Sequence, residues 1–221
     1  MFLRRLTPTI TIGATAIAVV AVFAFPAAIS AQAAPGNGGP NARSGSASGG
    51  VVGTVEKVST SSFAVLTSAS QKVIVQEASS TEYRKGTNSI LASAITKGDS
   101  VLVLGIVNGP TITASQVIVQ TTGKGGSATS PAAGVVPFRR GAPSAAKQVG
   151  QVPANYSQGS GTIVSGTEAN KATEAALANY PGGIVDRVVK LSNGEYEAHN
   201  IGVNWPHHIF LSHDFKVVGA F

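Results

Sequence analysis

The 221-residue chain contains no cysteine. That absence excludes disulfides, a thiolate nucleophile and a lipid-modified cysteine, so a lipoprotein is excluded and stability must come from packing. Aromatic residues make up only 6% and charged residues only 12%, with a single tryptophan. The ten acids stand singly, apart from Glu195 and Glu197, which flank Tyr196 and read as a solvated pair. No G-x-S-x-G turn is present. Ser212, His213 and Asp214 are consecutive and cannot relay a proton among themselves. "GKGG" at 123–126 lacks the spacing of a phosphate-binding loop. The expectation is a protein that is not an enzyme and that carries no cofactor.

What is present begins with a leader. Arg4 and Arg5 precede an apolar run from Ile10 to Phe25, and Ala31 and Ala33 in "ISAQAAP" fit a small-residue cleavage site. The run is short for the ~20 apolar residues of a membrane span. Residues 1–33 are therefore expected to be a signal peptide, with a secreted or cell-envelope location and no stable membrane insertion after cleavage. The formal charge of +6 falls to +4 without Arg4 and Arg5. Lys124, Arg139, Arg140 and Lys147 lie in residues 121–160, which hold no acid, so the excess is expected on a solvated tether able to touch anionic polymer weakly.

Composition divides the remainder. Residues 34–50 ("APGNGGPNARSGSASGG") are rich in glycine, serine and proline and read as a flexible segment. Residues 51–120 hold short Val/Ile/Thr runs: "VVGTVEKV", "SFAVLT", "KVIVQ", "DSVLVLGIV" and "TITASQVIVQ", the last two joined by Asn108-Gly109. About five strands predict a small all-β barrel, OB-like. Residues 121–160 read as a Gly/Ser/Ala/Pro linker, long enough to predict two modules joined flexibly. In 161–221, Ser165 and Glu168 match a capping box, and Ala169, Ala172, Ala176, Leu177 and Tyr180 form one helical stripe ended by Pro181. "IVDRVVKL", "EYEAHNI", "HIFLS" and "FKVVGA" then predict four antiparallel strands, an α+β unit with one helix on one sheet face.

Residues 161–221 resemble the PepSY family. The resemblance rests on Glu168, Ala169, Ala172, Ala176 and Leu177 in the helix and on Pro181, Gly182, Val185 and Val188 after it. Gly194, Tyr196, Phe215 and Val217 complete the match. It implies an extracytoplasmic domain and a role in binding peptidases. With no peptidase domain after Phe221, that role is expected in trans. The chain departs from the family at "NWPHH". Residues 51–120 resemble a secreted bacterial OB-like barrel of unknown function. Gly53-Thr54-Val55, Phe63, Val65, Tyr83, Gly98-Asp99, Val101, Val103 and Gly105 carry that likeness, which implies a fold and no activity.

"NWPHHIFLSHDF" (204–215) packs Trp205 and three of the four histidines together. Strand alternation puts Tyr196 and Ala198 toward the helix and Glu195, Glu197 and His199 on the opposite, open face. Partner binding is accordingly expected at Trp205, His207, His208, Glu195 and Glu197, against the alternative that Trp205-Pro206 is a packed loop. His199 and His208 can meet across adjacent strands as a candidate metal pair near Glu197, although zinc prefers three or four ligands. The leading expectation is a non-catalytic exported protein binding a protein or cell-envelope polymer, with a peptidase-inhibitor-like role as its sharpest form. The alternative is an extracytoplasmic metal or pH sensor built on His199, His207 and His208. No nucleic acid is expected, because residues 51–120 offer only Phe63 and Tyr83 for base stacking.

Overall fold

The structure is a computed structural model that describes residues 45–120, 149–154 and 156–221. The expected signal peptide, most of the 34–50 segment, and residues 121–148 with their four basic side chains lie outside the described residues. None of the described helices is long and apolar enough to cross a membrane.

The Val/Ile-rich runs form β1 (Ala47–Val58), β2 (Ser62–Leu66), β3 (Lys72–Lys85), the short β4 (Asn88–Ser89), β5 (Ser100–Asn108) and β6 (Thr111–Val119). β1 pairs with β2 through its C-terminal half and with β5 through its N-terminal half. β2 pairs with β3, β3 runs parallel to β6, and β6 returns to β5. The result is a closed five-stranded barrel of β1, β2, β3, β6 and β5. Closure removes the free edges that a short valine-rich sheet would otherwise expose. Val55, Phe63, Val65, Val73, Val103 and Val117 fill it, each no more than 2% exposed. β1 begins at Ala47, four residues inside the segment expected to be flexible.

The second half starts with α1 (Gly166–Asn179). Its stripe of Ala169, Ala172, Ala176, Leu177 and Tyr180 is buried, as the spacing predicts. Tyr180 is the C-cap and Pro181 follows it. Then come β9 (Ile184–Lys190), β10 (Tyr196–Ile201), β11 (His208–Leu211) and β12 (Val217–Ala220), an antiparallel meander. Residues 149–163, expected to be mostly linker, contribute β7 (Val149–Gly150) against β12 and β8 (Thr162–Ile163) against β9.

The two halves share one sheet. β1 pairs with β9 at Gly50–Val185 and Val51–Ile184. A Cβ on Gly49 would lie 1.9 Å from the Val185 carbonyl oxygen, and one on Gly50 would lie 2.2 Å from that of Val103 and 3.2 Å from the Thr173 methyl. Missing side chains thus let β1 sit between β5 and β9 with the helix directly above it. β5 is buried on both faces: Val101 and Val103 point into the barrel, while Leu102 and Leu104 join the helix-side core.

The capping box does not form. Ser165 occupies the N-cap with extended backbone, but its side chain makes no cap hydrogen bond. Glu168 instead accepts from Lys190 Nζ and from Tyr196 Oη, both at 2.8 Å, tying the helix start to β9 and β10. The hydrogen bond from Lys190, then that from Tyr196, holds the Glu168 carboxyl below its ordinary pKa. A depressed folded-state value contributes stability that is present above the ordinary glutamate range and lost as pH falls through the folded value. Glu168→Gln should therefore flatten the acid limb of stability below about pH 4.3. Urea titrations at stepped pH check this, and an acid limb as steep as that of the parent would count against the contact.

Candidate functional site

Two places gather chemistry. The first is the meander face opposite the helix. As alternation predicts, Tyr196 and Ala198 of β10 and Ile209 and Leu211 of β11 lie in the helix-side core. Glu197 and His199, with His208 and Phe210, fall on the other face, and the register sets Glu197 opposite Phe210 and His199 opposite His208. A bulge between β9 and β10 leaves Asp186 as an extra residue beside His199. Asp186 Oδ1 lies 2.7 Å from His199 Nδ1, and its Oδ2 accepts from Arg187 Nη1 at 3.2 Å. Glu197 Oε1 lies 2.5 Å from His208 Nδ1. The two imidazole rings are 5.2 Å apart, nearly edge to face.

This face was expected to be open, and burial corrects that at its centre. The 149–163 segment crosses it: Val152, Tyr156 and Ile163, with Phe221, pack over Val189, Leu191 and Phe210. Tyr156 Oη donates to Glu197 Oε1 at 3.0 Å and lies 3.0 Å from His208 Nδ1. Its ring meets Phe210 edge-on at 4.8 Å, and Phe221 stacks on His208 at 4.7 Å. Glu197 and His208 are only 4% and 6% exposed, so neither is a surface contact for a partner. Glu197 Oε1 and His208 Nδ1 are satisfied by each other and by the Tyr156 hydroxyl, as buried polar atoms require.

The other expected partner residues stand apart from this cluster. Trp205 packs with the helix-side core, edge-on to Tyr180 at 5.6 Å, after which the Trp205–Pro206 peptide is cis. The packed-loop reading thus describes its ring. Glu195 is half-buried in the turn, where its carboxylate accepts from Asn193 Nδ2 at 2.7 Å. His207 is exposed, and its backbone N–H donates to the Phe221 carbonyl. The structure therefore brings His199, His208 and Glu197 together with Asp186, Arg187 and Tyr156, but not with Trp205, His207 or Glu195. Among the described residues no group of three or more His, Asp or Glu side chains is arranged to hold a metal ion.

The second place is a groove of about 860 Å³ on the barrel wall, which sequence reasoning missed. It lies where β1 ends, beside β2, the start of β3 and the segment before β5. Lys57, Lys72 and Lys97 line it together with the apolar Val58, Ala64 and Ile74. Val58 is 44% exposed and Ile74 39%, a high value for apolar strand residues. Lys72 pairs with Glu56 at 2.8 Å. The three lysines are far apart in sequence, and the β1–β2–β3 pairings with the segment before β5 bring them together.

No protein-family model matches the chain, and neither a curated protein nor a solved structure matches it.

Proposed function

We propose that this is a non-catalytic exported protein that binds an anionic polymer of the cell envelope in the barrel groove. The observation that carries the reading is the convergence of Lys57, Lys72 and Lys97 on one groove with the exposed apolar Val58 and Ile74. Three ammonium groups against one carboxylate, Glu56, favour a repeating phosphate or carboxylate chain over a neutral ligand. The groove's one aromatic side chain, Phe63, is 2% exposed and turned into the barrel, so no ring is offered to a base, which supports the exclusion of nucleic acid. The leader at residues 1–33 supports export. The strand order, with β3 parallel to β6, supports reading the barrel as OB-like, and the helix-on-meander half supports the PepSY-like reading. A peptidase-inhibitor role through the meander face would require the 149–163 segment to lift first.

The test is a binding titration with poly(glycerol phosphate) and with single-stranded DNA of matched charge. The polymer should bind with salt-sensitive affinity, and Lys57→Glu/Lys97→Glu should weaken it at least about tenfold, since a hydrogen bond to a charged group contributes about 1.5 kcal/mol or more. Polymer binding that is absent, or unchanged in the double variant, removes the proposal. DNA binding as tight as polymer binding reassigns the groove.

A second reading, an extracytoplasmic metal or pH sensor, is favoured by one observation: His199 and His208 each hold a carboxylate on Nδ1.

A further inference from the structure

We infer that His199 and His208 form a two-imidazole site for a divalent transition-metal ion of the zinc or copper(II) class, bound through both Nε2 atoms. The inference rests on the sensor reading for its location and is independent of the groove.

Tautomer is the first support. A ring whose Nδ1–H donates to a carboxylate keeps its lone pair on Nε2 and is oriented and made more basic, the arrangement usual behind metal-bound histidine. Here it occurs twice on neighbouring strands: Asp186 takes the His199 Nδ1 at 2.7 Å and Glu197 takes the His208 Nδ1 at 2.5 Å. Asp186 is itself oriented by Arg187 at 3.2 Å, and Glu197 by Tyr156 at 3.0 Å. Both imidazoles are thus held in place before any ion arrives.

Spacing is the second. Two imidazoles on one tetrahedral ion with metal–nitrogen bonds of about 2.0 Å have ring centres about 5 Å apart. The observed separation is 5.2 Å, between residues directly opposite each other on β10 and β11. Access is the third. His199 and Asp186 retain 15% and 19% of their side-chain surface, against 7% for His208, so an ion enters from the His199 side.

Ligand chemistry sets the class of ion. The chain has no cysteine, which removes the thiolates that select soft ions, and imidazole suits zinc, copper(II) and nickel. Asp186 and Glu197 are occupied behind the rings. Because no third His, Asp or Glu joins them among the described residues, the remaining positions fall to water or to donors of a bound partner.

The experiment uses the full chain. Calorimetric titration with zinc and with copper(II) should show one ion per chain at micromolar affinity, with a rise in melting temperature. Asp186→Asn should weaken binding about 10- to 100-fold. His199→Ala, at the exposed edge, should remove it without unfolding the chain. Copper(II) should broaden the His199 and His208 imidazole NMR signals before that of His213. Absence of heat and of a thermal shift, or an affinity unchanged in both variants, overturns the inference. The sensor reading is tested separately by NMR of the metal-free chain between about pH 7.5 and 5.5. If the Tyr156 and Glu197 environment changes there while metal binding is absent, the metal site falls and the sensor stands. If the chain is silent to both, both fall.

Discussion

Gly49→Val should separate the two halves of this protein and destabilise it by more than about 3 kcal/mol, because overpacking at a site closed by backbone cannot be relieved by a rotamer change. A Cβ at Gly49 would stand 1.9 Å from the Val185 carbonyl oxygen and 3.2 Å from the Val107 side chain. Either β1 or β9 must move, and the pairs Gly50–Val185 and Val51–Ile184 are then lost. The consequence spreads in both directions. Ile184 belongs to the barrel core, and Leu102 and Leu104 of the barrel belong to the helix-side core. Trp205 is the sole tryptophan and reports on the helix-and-meander half. Wild type should lose Trp205 fluorescence and far-UV circular dichroism in one urea transition, since a shared core unfolds cooperatively. The variant should show a lower midpoint, with the two signals no longer coincident. A variant that melts like wild type would mean that β1 and β9 are not paired.

The Glu197–His208–Tyr156 cluster should show the second large effect. Glu197→Ala leaves His208 buried beside Phe221 without its carboxylate and removes the acceptor of the Tyr156 hydroxyl. The imidazole N–H and the Tyr156 hydroxyl lose their acceptor, at about 1–3 kcal/mol for each buried group left unsatisfied. Tyr156→Phe keeps the ring against Phe210 and deletes only the hydroxyl, so it should cost about 1 kcal/mol. Replacing both partners, Glu197→Leu with His208→Phe, should recover much of the loss, because packed apolar groups of similar shape can stand in for a buried hydrogen-bonded pair. Denaturant midpoints for the three variants test this, with a coupling energy from the Glu197/His208 cycle. Equal, small losses in all three would show that the 149–163 segment does not seal this face. Limited proteolysis gives a second readout, since loss of Glu197 should make the bonds around Tyr156 more easily cut.

Much of the architecture was legible in the chain. The runs from Val51 to Gln120 fall on the five barrel strands. The Ala169–Tyr180 stripe marks the buried helix face, and alternation separates Tyr196, Ala198, Ile209 and Leu211 on the helix side from Glu197, His199, His208 and Phe210 on the other. Periodicity reports which residues share a face, because it follows from local backbone geometry. It does not report what covers that face. "SGG" at 48–50 reads as flexible by composition, yet those glycines are where β1 passes closest to β9 and α1. "VPANYSQGS" reads as linker, yet Tyr156 closes the meander. One signal was available: "VLVLGIV" is apolar without alternation, the pattern of a strand buried on both faces, and Leu102 and Leu104 indeed meet the helix side.

By itself, then, the sequence determined the main strands, the helix and their buried faces, and it allowed His199 and His208 to meet across neighbouring strands. Only the tertiary structure decided that the halves share one sheet, that Tyr156 and Phe221 seal Glu197 and His208 away from solvent, and that Lys57, Lys72 and Lys97 meet around one groove. The physical reason is range. Propensity and alternation act over a few residues, whereas burial and charge convergence depend on contacts between segments tens of residues apart, which no local pattern encodes.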